Sequence, residues 1–344
     1  MRTLSLSVFV AAFCWGQGNI TTLRVPTIGP PTIGAIDFYG LHKVSESKVR
    51  QVLGAREGDP LPHSKGDTEE KLDTISGVVE SHLEAVCCRD GKTILYVGIE
   101  ERGAPHFEIR DEPDGEDKLP EEITSTYRRL VEALSDAARR GSTAEDLTTG
   151  QSRMADPSSR AIQDMFPELA KDHLAELRKV IHNSMDEQQR ASAVYVIAYA
   201  PKKAEVLDDL QYALKDFDAG VRTNAARALV AFAVSARLHP EQDLKVEATW
   251  FIEMLNSLSW SDRNRALMAL QVLTDKDDPV VLDQLRTRAM PALIEMAKWK
   301  TLEHALPAYV LVGRVAGLSE EQIQRTWERG ERDSVIAAAG KKKR

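Results

Sequence analysis

The apolar and polar positions of one stretch recur along the second half of the chain. It runs Asp218-Ala-Gly-Val-Arg-Thr-Asn-Ala-Ala-Arg-Ala-Leu-Val-Ala-Phe-Ala233. Laying Asp186 on Asp218 puts Arg190 on Arg222, Ala193 on Ala225 and Ile197 on Leu229. Laying Ser261 on Asp218 puts Arg265 on Arg222 and Val272 on Leu229, with the extra length falling in the polar stretch 239–247. Self-similarity at about 30–45 residues is the mark of stacked helix hairpins. The helices come in pairs: Leu169 to His182 with Asp186 to Tyr199, Val206 to Leu214 with the Asp218 helix, Thr249 to Leu258 with Ser261 to Leu273, and Leu285 to Lys298 with Leu302 to Ala316. Ser319-Glu-Glu-Gln322 reads as a capping box that starts a last helix through Trp327.

Nearer the start the pattern changes. Ile33 to Gly40 reads as a strand closed by glycine, and Ser45 caps a short helix in which Val49, Val52 and Leu53 share a face. Leu72, Ile75, Val79 and Leu83 predict a second helix from about Asp67 to Ala85. Ala85 to Arg89 and Thr93 to Glu100 then flank Asp90-Gly91, the dipeptide of a two-residue hairpin turn. From Leu119 onward everything reads as helix: Pro120 and two acids suit a first turn, Tyr127, Leu130, Val131 and Leu134 form a face, and Gly141 ends it.

Two resemblances follow. Asp218-x-x-Val-Arg-x-x-Ala-Ala-x-x-Leu229 resembles the second helix of a HEAT repeat, over roughly 156–330. The order strand, helix, helix, strand, strand over 33–102, with Phe38-Tyr39-Gly40, Gly58-Asp-Pro-Leu61 and the strand Leu95 to Glu101, resembles a POTRA domain. The implied fold is mainly α: a HEAT-like α-solenoid preceded by a small α+β POTRA-like domain. The POTRA likeness implies holding polypeptides by strand addition at a sheet edge. The HEAT likeness implies that Arg190, Arg222 and Arg265 reach the aspartate of a neighbouring repeat. Asp186, Asp218 and Ser261 stand where a side-chain oxygen can cap the second helices. These repeat positions read as structural.

One positive charge, the apolar run Leu4 to Trp15 and the small residues Gly16 and Gly18 have the order of a signal peptide over 1–18. Phe13 before Cys14 is too large for a lipidation site. The expectation is an exported, periplasmic protein, without an integral membrane segment in the mature chain. A formal net charge of −8 opposes a nucleic-acid footprint, and the basic run Lys341 to Arg344 reads as the end of a solvated tail over 331–344. Between Glu108 and Glu122 eight acidic residues face Arg110 and Lys118, so 103–119 reads as a solvated acidic hinge and 120–155 as a connecting helical segment. The stretch lacks the ligand spacing of a calcium loop.

No cofactor or metal motif is present. Gly91-Lys92-Thr93 has Val86 where a phosphate loop needs glycine, and His63, His82 and His106 lack zinc spacing. Cys87 and Cys88 read as one buried and one partly exposed thiol, with a vicinal disulfide as the alternative. The expected function is a non-enzymatic protein-protein interaction scaffold whose partner is a protein or peptide of the cell envelope. Alternatives are a soluble accessory factor in outer-membrane assembly and an enzyme on a HEAT-like frame. Expected contacts lie on the second helices, at Gln188, Gln189, Thr223, Asn224, Arg227, Arg263 and Asn264, and at the aromatic residues Trp250 and Trp260.

Overall fold

The computed structural model describes residues 31–89, 91–275 and 278–340. The expected signal peptide, Asp90 of the turn and Lys341 to Arg344 lie outside them.

Strand β1 (Ile33–Tyr39) is followed by α1 (Glu46–Leu53), α2 (Lys65–Asp73), β2 (Val78–Arg89) and β3 (Lys92–Glu101). The sheet order is β1-β3-β2, with β1 parallel and β2 antiparallel to the central strand. Ser45 caps α1 by accepting from the Lys48 N–H, and Gly54 ends it in the left-handed region at φ 68°. Arg89 stands opposite Lys92, as a two-residue connection requires. Ile36, Val49, Leu53, Leu72, Leu83, Leu95 and Val97 form a small core of their own.

The second helix is shorter than its apolar spacing implied. It stops at Asp73, Gly77 turns the chain at φ 99°, and Val79 and Leu83 belong to β2. Leu83 is buried and Val79 half exposed: residues four apart would share a strand face, but the register of β2 shifts between Val78 and Glu80, and Val79 is put out of phase with the buried positions. Cys87 is exposed and disulfide-bonded, which overturns the free-thiol reading. The register of β2 shifts between Val86 and Arg89, so the regular alternation behind that reading is broken there.

The rest is helical apart from one small hairpin. Helix α3 (Glu121–Arg139) leads to β4 (Glu145–Asp146) and β5 (Arg153–Met154), then α4 (Pro157–Gln163), α5 (Phe166–Asp172), α6 (Leu174–Asn183) and α7 (Glu187–Ile197). After these come α8 (Leu207–Ala213), α9 (Ala219–Leu238), α10 (Thr249–Met254), α11 (Trp260–Leu273), α12 (Pro279–Arg288), α13 (Met290–Ala297), α14 (Leu302–Val315), α15 (Glu320–Glu328) and α16 (Arg332–Gly340). The protein is thus mainly helical with a small mixed sheet near its N-terminus. Helices α6, α8 and α10 pack on α7, α9 and α11, and α7, α9, α11 and α14 pack on one another in turn. Ser319 and Gln322 form the capping box of α15.

Two segments differ from expectation. The tail is not solvated up to Gly340: α16 buries Val335 and Ile336 against α13 and α14. The acidic stretch is not a free hinge. Phe107 and Leu119 anchor it in the core, the Arg110 N–H donates to Lys215 O, and Gly115 and Met185 bond the segment to the α6–α7 loop. Its acids are solvated while its backbone is pinned.

Candidate functional site

Asp186 Oδ1 accepts from the N–H groups of Gln188 and Gln189, and Asp218 Oδ1 accepts from Val221, so both satisfy free donors at a helix start. The arginines on the same helices bridge hairpins. Arg190 Nε and Nη2 donate to the Asp216 carboxylate at 2.9 and 3.0 Å, and Nη1 donates to Ser184 O, six residues back. Arg222 Nε donates to Asp262 and its Nη1 reaches Asp216 O, again six residues back. The partners are therefore Asp216 and Asp262, not the capping aspartates.

The third copy sits two residues from where the alignment put it. Arg263, and not Arg265, makes the six-residue reach, from Nε to Ser257 O at 2.6 Å. Ser259 is the N-cap residue of α11, and Ser261 is not. In this register Ala266 and Leu270 match Ala225 and Leu229, all fully buried. Burial decides a choice that residue identity left open.

The residues expected to contact a partner are mostly occupied inside the molecule. Gln188 is exposed and Thr223 half buried. Gln189 Oε1 accepts the Leu119 N–H at 2.8 Å. Asn224 is buried and donates to Tyr127 Oη and Ala191 O. Arg227 is buried with 2.6 Å bonds to Glu145 and Ser152 of the β4–β5 hairpin. Arg263 lies over the Tyr39 ring, Asn264 and Trp260 are buried, and Lys215 covers the half-buried Trp250. The expected contact face on the second helices is thus corrected, because it is covered from within: α3 and the β4–β5 hairpin lie on α7 and α9, and the sheet lies on α11.

Five side chains build the seam between sheet and helices. The Tyr96 ring stacks on Trp260 at 5.0 Å and meets Trp299 at 4.9 Å; Trp299 also meets Tyr39, and His304 meets Trp260. Tyr96 Oη and His304 Nδ1 lie 2.6 Å apart. Burial raises the phenol and lowers the imidazole, which favours the neutral form of each. Polar clamps surround the rings. Glu84 of β2 accepts from the Ser261 N–H and from the hydroxyls of Ser259 and Ser261, capping α11 from a distant part of the chain. Asp37 accepts the Lys300 N–H, and the Tyr39 hydroxyl donates to Leu258 O. Gly98 makes this approach possible, since a Cβ there would lie 2.5 Å from Leu258 O. A glycine inside a strand is the one sequence signal of such a contact.

Where the seam opens, a cavity of ≈ 20 Å³ is lined by Gly40, His42, Asn256, Arg263 and Glu295. That is room for about one water. Glu295 accepts the Gly40 N–H, and burial raises its carboxyl above the usual range.

The sheet has a more open feature. The Leu83 N–H points away from β3 and is taken by Glu69 Oε1 at 2.6 Å, while Ser81 Oγ donates to Glu69 O. Helix α2 therefore closes this part of the β2 edge. Ala85, two residues on, aims its N–H the same way; it is exposed, and that donor has no partner among the described residues.

Among the described residues no helix is long and apolar enough to cross a membrane, and no group of three or more acidic, histidine or cysteine side chains is placed to hold a metal. Set against known proteins, the chain matches no family model and no curated protein.

Proposed function

We propose that this protein is an exported scaffold that holds polypeptide partners of the cell envelope, with a HEAT-like stack of helix hairpins carrying a POTRA-like sheet domain. The repeated i to i−6 arginine reach in three successive hairpins supports the first likeness. The element order and the β1-β3-β2 sheet support the second. The observation that carries the function is the β2 edge at Ala85, where an extended partner strand can find an unpaired donor. Export rests on the apolar run Leu4 to Trp15. It is tested by sequencing the protein recovered from cells, which should begin at or near Gln17 or Asn19; an intact Met1 on cytoplasmic protein would refute it.

A photo-crosslinker at the exposed Glu80 of the same strand should recover polypeptides from an envelope fraction, and Ala85→Pro in that background should abolish their capture. Because that N–H lies outside the β2–β3 ladder, proline at an edge should leave melting nearly unchanged. Equal capture by parent and variant would exclude strand addition at this edge.

A further inference from the structure

Arg190 is a hub for three segments that are far apart in sequence. Its guanidinium bonds Ser184 O of the α6–α7 loop and the Asp216 carboxylate of the α8–α9 loop, and Nη2 is 3.8 Å from Glu112 of the acidic stretch. Each segment carries an exposed apolar residue close to that hub: Met185 beside Ser184 is 54% exposed, Phe217 beside Asp216 is 58%, and Ile109 beside Arg110 is 39%. The Arg110 N–H is bonded to Lys215 O, and the Met185 N–H to Gly115 O, so the acidic stretch runs along the rim formed by the two loops. Met185 and Phe217 occupy the same place in successive hairpins, each immediately before a capping aspartate. Exposing such side chains at one rim position twice is a cost in water that a bound partner would remove.

The third hairpin shows how this position is used. Leu258 stands directly before the N-cap Ser259, and there the sheet domain is seated: Tyr39 donates to Leu258 O and Gly98 lies against the same carbonyl. The rim is thus an interface within the molecule at its third place and is uncovered at the first two. What surrounds those two places is net negative, with Arg110 and Lys118 the basic residues of the stretch. Asp111, Asp114 and Glu116 are exposed, with no basic partner among the described residues, whereas Asp117 is paired with Lys179. Pinning the backbone holds these carboxylates at the rim and removes most of the ordering entropy that binding would otherwise oppose.

We infer that the rim formed by Ile109, Met185 and Phe217, with the acidic stretch beside it, is a docking surface for a basic polypeptide segment carrying apolar anchors. The charge opposes polyanionic partners: unpaired carboxylates repel nucleic acid and anionic lipid. This surface lies on the helical body, apart from the β2 edge, and does not depend on strand addition.

The test uses the full chain and three fluorescent peptides of equal length: alternating lysine and leucine, alternating glutamate and leucine, and alternating lysine and glycine. Anisotropy at low and high salt should show binding of the lysine–leucine peptide alone, weakened by salt. Phe217→Ser with Met185→Ser should weaken it by more than about tenfold. Asp111→Asn with Asp114→Asn and Glu116→Gln should weaken it and flatten its salt dependence, and these three exposed changes test the surface even if the double serine variant does not fold. The proposal is overturned if the parent does not bind the lysine–leucine peptide, if it binds the glutamate–leucine or lysine–glycine peptide as well, or if the variants bind like the parent. A concentration-dependent dimer that Phe217→Ser dissolves would overturn it in favour of a second copy of the chain. Loss of strand addition in Ala85→Pro, with peptide binding intact, would separate the two surfaces.

Discussion

Arg190→Ala should lower the free energy of unfolding by about 3–5 kcal/mol, the range for breaking one partner out of a buried ion pair. The side chain is 0% exposed, and its guanidinium satisfies Asp216 twice and Ser184 O once. Removing it leaves a buried carboxylate whose remaining hydrogen bond among the described residues comes from the Asp218 N–H at 2.9 Å, with the charge of Arg110 nearby. The cost is that of an uncompensated ion, larger than the net worth of the pair. Urea unfolding of Arg190→Ala, Asp216→Asn and the combination of Arg190→Met with Asp216→Asn separates the two. The combined variant should recover a large part of the loss, because neither charge is then stranded. A midpoint equal to the parent's in Arg190→Ala would show that the bridge between hairpins holds nothing together.

Trp299→Ala should cost about as much, roughly 3–5 kcal/mol for emptying a buried aromatic site, with the damage concentrated at the seam. Trp299 is 2% exposed and sits between Tyr39 of β1, at 6.0 Å, and Tyr96 of β3, at 4.9 Å. Its loss removes the wedge that joins sheet to helices while leaving the small core of the sheet intact. Amide exchange should report this as a local effect. Lys300, bonded to Asp37, and Gly40, bonded to Glu295, should lose protection more than Leu95 or Val97 of the central strand. Uniform loss across both units would mean that they unfold as one body and that the seam is not the weaker joint.

Much of the local architecture is legible from residues a few places apart. The caps Ser45, Asp186, Asp218 and Ser319 each bond a backbone N–H within three residues, so short-range chemistry suffices to place those helix starts. The hairpin at Gly91 has the same origin. Where two local patterns compete, sequence fails. Val79 and Leu83 fit a helical spacing, yet the pairing of Val78–Arg89 with β3 satisfies a whole ladder of donors and acceptors at once. Arg263 and Arg265 stand two residues apart after an insertion, and only burial of Ala266 and Leu270 chooses between them.

The face each helix turns to water is of another kind. Asn224 and Arg227 read as exposed polar residues because Tyr127 and Glu145, which cover them, lie 97 and 82 positions away. Tyr39 and Leu258 meet across 219 positions. The sequence by itself determined many of the helix starts, the caps Ser45, Asp186, Asp218 and Ser319, and the first two helix hairpins, all set by hydrogen bonds and apolar spacing inside one or two turns. Only the tertiary structure decided that the acidic stretch is pinned, that the sheet docks on the third hairpin, and that Met185 and Phe217 are left uncovered. Those outcomes depend on which distant segment removes a surface from water, and no periodicity within a single helix encodes the identity of its cover.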